Sequence, residues 1–320
     1  HHTWLRRQRQ MCIRDRRFAS SAANSFVGGI TVTDWNRDYI DDVIYFGTVG
    51  GSQSAPSGQL LRAALTLNST GAAMTFSPVL DVTNQPFSAP PMTRIDNQFN
   101  YWVFAGAGRY FHDADGKIQV SNSFYGVKEG KDSLGALTTT AQSKSKLIDV
   151  SNIQTYTNGE IRTLSGGQVF INGSEPIKNS TQMTSAVADA GGWFINFTQP
   201  GSRNVGPASM HLSSLMFTAF APSTDTCSGK VGSTQLYQRD FFNGLSPKYS
   251  AYTDDDKTIG TDDDVSEAID TVIELGDNYF IEPNEEGLSQ SNEGELKEID
   301  LGTPNIKSRR ESWREVLKDW

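Results

Sequence analysis

The sequence predicts an all-β fold. Short apolar segments of four to six residues recur along the chain, rich in aromatic and β-branched side chains, and Gly, Pro, Asn or Ser bounds each of them. No long segment with a helical period separates them. Such a series is typical of a sandwich, a barrel or a propeller. With 320 residues, the chain is long enough to bury one large core or two small ones.

The predicted strands lie between residues 18 and 250, which we expect to form the β domain. They are Val27 to Val32, Val43 to Phe46, Tyr101 to Ala105, Gln168 to Ile171, Trp193 to Phe197, Leu215 to Phe220 and Gln235 to Tyr237. The glycines of the segment AGAGRY (105–110) resemble a phosphate cradle only superficially, because no helical pattern follows. They are better explained as places where strands turn closely against neighbours.

The first 17 residues differ from this domain. They contain six Arg and one Asp and show no strand or helix period. Their string MCIRDR is typical of translated sequencing-adapter read-through, which predicts a leader that is not native. A basic arm attracted to membranes is the alternative. Because no signal peptide pattern is present, an export signal is expected on an upstream part.

The last 70 residues are acidic, with 10 Asp and 10 Glu against 7 Lys and Arg. We predict an acidic linker or excursion over 251–306, with one short helix at Val265 to Leu275. An amphipathic helix is predicted over 307–320, where a capping box at Ser308 precedes Trp313, Val316, Leu317 and Trp320 at helical spacing. We expect this helix to dock on its own domain, and binding to a partner is the alternative.

Several classes of function find no support in the sequence. No basic face interleaved with aromatic residues is present, so no nucleic-acid binding is expected. No segment approaches the roughly 18 apolar residues of a membrane span. The separation of Cys12 and Cys227 matches no zinc site. No catalytic motif surrounds His112 or His211, so no enzymatic activity is expected.

One loop has the pattern of a calcium site. In the sequence DWNRDYIDD (34–42), side-chain oxygens fall at loop positions 1, 3, 5 and 9, and the Ile40 carbonyl can supply position 7; the side chains are Asp34, Asn36, Asp38 and Asp42. Ca²⁺ prefers six to eight such oxygens. An EF-hand would need Glu at position 12, which is Tyr45 within a predicted strand. The pattern therefore predicts a calcium site between two strands.

The electrostatics of this loop favour a bound cation. Two carboxylates 4 Å apart repel by about 4 kcal/mol at an effective dielectric constant of 20. Tyr39 stands where such loops usually carry Gly, and we expect it to strain the turn. The alternative is an Asx-rich turn that binds nothing. Asp113 and Asp115, and the TDDD strings near residues 254 and 262, are interpreted as a turn and a solvated linker.

Six segments resemble motifs of a known family. They are VTDWNRDYIDDVIYFGTVGG (32–51), GQLLR (58–62), WVFAGAGRYF (102–111), SFYGVKE (123–129), GGWFINFTQPGSRNVGPASMHLSSLMFTAFAPSTDTCSG (191–229) and RRESWREV (309–316). In this order they resemble the C-terminal β-propeller of type IV pilus tip-associated adhesins of the PilY/PilC kind. Asn36 replaces the commoner Asp of that pattern, and Ala107 replaces Thr.

The resemblance implies a β-propeller, here a possibly incomplete one of about four to five blades at roughly 40–50 residues each. It implies an extracellular location at the pilus tip, with minor pilins and a host or abiotic surface as partners. The implied roles are pilus biogenesis, twitching motility and attachment, modulated by calcium on Asp34, Asn36, Asp38, Asp42 and the Ile40 carbonyl. A quinoprotein-like propeller dehydrogenase, or a calcium-stabilised structural propeller of another surface protein, is the alternative.

Overall fold

A computed structural model describes most of the predicted β domain. The described residues are 24–68, 71–82, 84–132, 136–156, 158–171, 173, 175–211, 213–223, 232–247 and the backbone of strands at 272–276, 279–281, 288–291 and 296–298. The predicted leader (1–17), both cysteines and the predicted helix over 307–320 lie outside these residues. Within the described part, no helix has the length and hydrophobicity needed to cross a bilayer.

Three sheets carry most of the strands. The first sheet has the spatial order β1 (Phe26–Thr33), β2 (Val43–Gly51), β4 (Leu60–Asn68), β5 (Gly71–Asp81) and β9 (Gln142–Ser143), and β3 (Pro56–Ser57) pairs with β2. The second sheet has the order β10 (Ile148–Asp149), β13 (Gly192–Asn196), β8 (Ser123–Lys128), β7 (Tyr101–Gly106) and β6 (Met92–Ile95). The third sheet has the order β14 (Ser209–His211), β15 (Ser214–Pro222), β16 (Gly232–Asp240) and β17 (Val272–Gly276).

Smaller elements complete the described structure. One hairpin pairs β11 (Ile153–Thr155) with β12 (Ile161–Thr163), and a separate sheet contains β18 (Tyr279–Ile281), β19 (Leu288–Ser291) and β20 (Leu296–Glu298). The helical elements are α1 (Ser180–Asp189) and two short 3₁₀ helices, Asp113–Lys117 and Lys144–Lys146.

The second sheet is buried on both faces. Along β7, Trp102 and Phe104 contribute to one hydrophobic core, and Val103 and Ala105 contribute to the other. Side chains alternate across a strand, so a strand covered on both faces must be apolar at every position. The run WVFA in β7 meets that requirement.

The two cores lie on opposite faces of this second sheet. One combines its side chains with those of the third sheet and α1, including Phe217 and Tyr237. The other combines them with those of the first sheet, including Tyr45 and Leu60. Face-to-face burial of antiparallel sheets is the stable solution for strands of this composition. The order of the sheets is therefore first, second, third.

One predicted strand is absent, and one observed helix was not predicted. The segment Gln168 to Ile171 forms only one isolated bridge, between Val169 and Ile177, rather than a strand. A helix that the sequence analysis did not predict follows at Ser180–Asp189. Asn179 caps this helix by accepting a hydrogen bond from the backbone N–H of Gln182, 3.0 Å away.

The acidic segment also differs from its prediction. A helix was predicted at Val265 to Leu275, but residues from Val272 onward form β17, which pairs with β16. Three further short strands lie within the predicted linker, β18 to β20. Without β17, the backbone N–H and C=O groups along this edge of β16 would lack hydrogen-bond partners, and pairing with β17 supplies those partners. The interaction is long-range in sequence, so local periodicity could not reveal it.

The carboxyl group of Asp240, at the end of β16, predicts a pH dependence of stability. Burial raises its pKa to about 6, although N–H groups of Phe242 and Asn243 oppose the shift. The folded state therefore retains a proton that the unfolded state loses between about pH 4 and pH 6. Consequently the free energy of unfolding falls as the pH rises through that window.

Asp240→Asn should flatten this slope and raise the free energy of unfolding at pH 7 by about 1–2 kcal/mol, because the group is half-buried. Urea denaturation at pH 4 to 8 measures both effects, and an unchanged slope would contradict the assignment.

Candidate metal centre

The predicted calcium loop connects β1 to β2. Its ends are fixed by backbone hydrogen bonds, from Asp42 N to Thr33 O at 3.0 Å and from Leu65 N to Asp42 O at 2.7 Å. The second of these bonds ties the loop to β4. The loop is thus held at the end of the first sheet, where its side chains Asn36 to Asp41 are exposed.

Asp34 organises the first half of the loop. One of its carboxylate oxygens accepts hydrogen bonds from the N–H groups of Arg37 (2.6 Å) and Asp38 (3.3 Å), and the other accepts from that of Tyr39 (2.8 Å). Successive N–H groups can point at one carboxylate only if the chain turns tightly. Arg37 and Tyr39 accordingly adopt left-handed backbone conformations, with φ of 63° and 70°.

The left-handed backbone conformation of Tyr39 agrees with the strain expected at this position. It occupies the position where Gly would have no steric penalty, and its side chain is fully exposed, so no packing compensates for the conformation. The loop nevertheless holds this conformation because the hydrogen bond to Asp34 fixes it.

Asn36 links the second half of the loop. Its amide nitrogen lies 3.1 Å from an oxygen of Asp38 and 3.3 Å from one of Asp42. The other oxygen of Asp42 accepts from the N–H groups of Trp35 (2.7 Å) and Asn36 (3.1 Å). Asp38 also accepts from the N–H of Ile40 at 2.8 Å. One donor group therefore bridges two carboxylates at the place where a cation could bridge them.

The donor set fits calcium in its chemistry. The predicted donor set of three carboxylates and one amide oxygen lies within a nine-residue loop, and a backbone carbonyl is available at Ile40. Each carboxylate oxygen has two lone pairs, so the bonds to N–H groups leave acceptor capacity on Asp34, Asp38 and Asp42. Among the described residues, however, no group of three or more His, Cys, Asp or Glu is drawn together as a metal cage. The ligand assignment stays a prediction.

Trp35 is the inward-facing residue of the loop. Its side chain is 5% exposed, whereas its neighbours in the loop face solvent. The indole stacks on Tyr101 of β7, with ring centroids 4.4 Å apart and an interplanar angle of 6°. The Lys131 ammonium lies 3.3 Å from the centroid of the Tyr101 ring. The predicted calcium loop, which joins two strands of the first sheet, therefore contacts the second sheet directly. Oxygen spacing alone did not indicate this contact.

A second acidic loop is structural. Asp115, in the 3₁₀ helix, pairs with Arg109 at 3.1 Å. The guanidinium of the buried Arg203 donates to the carbonyls of Gly201, Arg109, Asp115 and Ile118 at 2.8 to 3.1 Å. These contacts support the interpretation of residues 113–116 as a turn. They also explain Gly108, because a Cβ there would lie 2.5 Å from the Cβ of Arg203.

The fold defines a class of protein, the all-β domains with a β-propeller-like fold. The chain is similar to the crystal structure of the Pseudomonas aeruginosa PilY1 C-terminal domain, with a TM-score of 0.58 and 14% sequence identity. The match covers 89% of this chain and 62% of that chain, so this chain spans less than two thirds of the other. No family model and no curated protein sequence matches the chain.

The structural match confirms two predictions. An all-β, propeller-like fold is present, and the likeness to a domain of the PilY kind holds at the level of the fold. At this sequence identity, the match concerns the fold alone.

Proposed function

We propose that this chain is a calcium-binding, propeller-like domain of a type IV pilus-associated surface protein. The observation that carries the proposal is the combination of a PilY1-like fold with an oxygen-rich loop between its first two strands. The proposed protein is extracellular and non-catalytic. It lies at the pilus tip with minor pilins, and it supports pilus biogenesis, twitching motility and attachment to host or abiotic surfaces, as the family resemblance implies.

Calcium has a specific task in this proposal. A cation among Asp34, Asn36, Asp38, Asp42 and the Ile40 carbonyl would replace the weak bridge that the Asn36 amide now makes. It would remove the repulsion between three carboxylates and lock a loop that carries two strained backbone conformations. The ion would therefore act as a structural clamp for the loop.

A melting experiment tests calcium binding. At 100 times its dissociation constant, a ligand that binds only the folded state adds about 2.7 kcal/mol to the free energy of unfolding. The chain with calcium should therefore melt several degrees higher than with chelator, and Asp38→Asn should abolish most of that difference. Asp41 offers a matched control, because it is an exposed carboxylate of the same loop outside the proposed ligand set. Asp41→Asn should retain the response.

The same two variants test the pilus role in the cell that makes the protein. Asp38→Asn should reduce surface piliation and attachment, while Asp41→Asn should leave both close to the wild-type level. A wild-type chain whose melting temperature is the same in calcium and in chelator would refute calcium binding. Normal piliation in a strain lacking the whole domain would refute the pilus role.

A further inference from the structure

A chain of buried polar groups begins at the metal loop. The indole N–H of Trp35 donates to the hydroxyl of Tyr45 at 2.9 Å, and this hydroxyl donates to a carboxylate oxygen of Glu129 at 2.8 Å. The other oxygen of Glu129 pairs with Arg62. Arg62 in turn donates through Nε to the hydroxyl of Ser77 at 2.9 Å. The groups run from the loop into the interior without a break.

This chain joins the first two sheets. Tyr45, Arg62 and Ser77 belong to β2, β4 and β5 of the first sheet, whereas Glu129 directly follows β8 of the second. Trp35 adds a second connection between the sheets through its stacking on Tyr101. Within the loop, the described ring contact and side-chain hydrogen bond towards the second sheet start at Trp35; beside the loop, Thr33 of β1 also bonds Thr93 of β6 at 2.9 Å.

The direction of the hydrogen bonds is fixed by electrostatics. Burial, reinforced by the charge of Glu129, raises the pKa of Tyr45 well above its usual value. The hydroxyl therefore stays protonated and donates its one O–H hydrogen bond to the carboxylate, so it can only accept from Trp35. Trp35 has no other acceptor of this kind among the described contacts. A displacement of the indole would break the chain at its first link.

The same residue is tied to the metal ligands through its backbone. The N–H of Trp35 donates to the carboxylate of Asp42, and Trp35 lies between Asp34 and Asn36 in the sequence. Ordering the carboxylates around a cation thus orders Trp35, and ordering Trp35 through Tyr45 orders the carboxylates. Coupling between two such events is reciprocal by thermodynamic necessity.

We propose that Trp35, Tyr45, Glu129 and Arg62 form a clasp that couples the metal loop to the contact between the first and second sheets, so that calcium binding and sheet contact strengthen each other. The inference rests on the calcium binding proposed above. Trp35 and Tyr45 act as positioning residues: they bind no ion, but they hold the residues that do.

Calcium titration by calorimetry of Tyr45→Phe tests the clasp. This substitution removes one oxygen atom and leaves the ring in place, and we expect calcium affinity to fall about tenfold, which is the effect of one buried hydrogen bond near a charge. The matched control is Tyr237→Phe. Tyr237 is also buried and its hydroxyl also bonds a side chain, that of Gln235 at 3.0 Å, but it lies in the third sheet. Its replacement should leave calcium affinity unchanged.

The outcomes separate the clasp from calcium binding itself. Equal affinity in wild type and Tyr45→Phe would overturn the clasp and leave the proposed calcium site intact. If the wild type binds no calcium, the proposed function fails and the coupling to calcium fails with it; amide hydrogen exchange in chelator then decides only whether the four residues order the loop. Faster exchange at residues 37–40 in Tyr45→Phe, but not in Tyr237→Phe, would support it, and equal exchange would overturn it. Should Tyr45→Phe fail to fold, Trp35→Phe removes the same hydrogen bond from the other side.

Discussion

Replacement of Glu129 by Ala should lower the free energy of unfolding by about 3–5 kcal/mol, because it leaves a buried guanidinium without its counter-charge. The side chains of Arg62 and Glu129 are only 1% and 2% exposed. One terminal nitrogen of Arg62 already finds no hydrogen-bond partner among the described groups. Among the described contacts, the guanidinium would keep the neutral hydroxyl of Ser77 as an acceptor but would have no counter-charge. Urea denaturation followed by circular dichroism measures the loss.

Two further variants make this result specific to the buried pair. Glu160 and Arg162 form an ion pair at 2.8 Å with side chains 48% and 46% exposed, so Glu160→Ala should leave the denaturation midpoint unchanged. The double variant Arg62→Met with Glu129→Met removes both charges together and should be more stable than Glu129→Ala. A Glu129→Ala protein within 1 kcal/mol of wild type would contradict the prediction.

Replacement of Trp193 by Ala should cost a similar amount, about 3–5 kcal/mol. Trp193 is fully buried in the core between the second and third sheets, and its indole N–H donates to the Phe241 carbonyl at 2.9 Å. Truncation would lose the largest fully buried side chain of the described structure and leave that carbonyl without its partner. Phe170, an aromatic residue that is 53% exposed, is the control, and Phe170→Ala should have little effect.

The indole fits between two glycines, which gives the same site a second test. A Cβ on Gly126 would lie 2.6 Å from Trp193, and a Cβ on Gly244 would lie 2.5 Å from it. Gly126→Ala should therefore destabilise the protein by about 1–3 kcal/mol through overpacking. In a Trp193→Leu background the penalty should shrink, because the clashing atoms are gone. Equal penalties in the two backgrounds would show that the glycine serves another purpose.

Apolar and β-branched runs predicted β1, β7 and β13 to within one residue at each end, whereas β4, β5 and the doubly covered β8 were not predicted as strands. The predicted strands Tyr101 to Ala105 and Trp193 to Phe197 are almost continuously apolar, and the observed strands are β7 (Tyr101–Gly106) and β13 (Gly192–Asn196). The helix α1 escaped prediction because Ser, Thr and Gln dominate it and only Met183 and Val187 are buried. Burial of those two residues depends on the sheets beneath, which a local pattern does not contain.

The sequence predicted the candidate ligands of the site but not the contacts that hold the loop against the second sheet. The oxygen spacing identified the loop Asp34 to Asp42 and also identified Tyr39 as a departure from the usual Gly. It did not indicate that Trp35 faces inward or that Tyr45 bonds Glu129, 84 residues further along the chain. Such contacts arise only when two sheets pack, because nothing in the local sequence links their strands. The blade number and the ligand set remain predictions.

The doubly covered second sheet also restricts how this protein can change over time. A substitution in β7, β8 or β13 must fit the packing of two hydrophobic cores at once. A substitution in an outer strand such as β1, where Phe26, Ile30 and Val32 are exposed, has fewer packing contacts to preserve. The amino-acid sequence should therefore change slowly in the second sheet, which is the middle layer, and faster in outer strands such as β1. Three of the six segments that resemble the pilus-tip family, those that begin WVFAG, SFYGV and GGWFI, begin in or run through that middle layer. Distant relatives of this chain should be sought with those three segments rather than with the whole sequence.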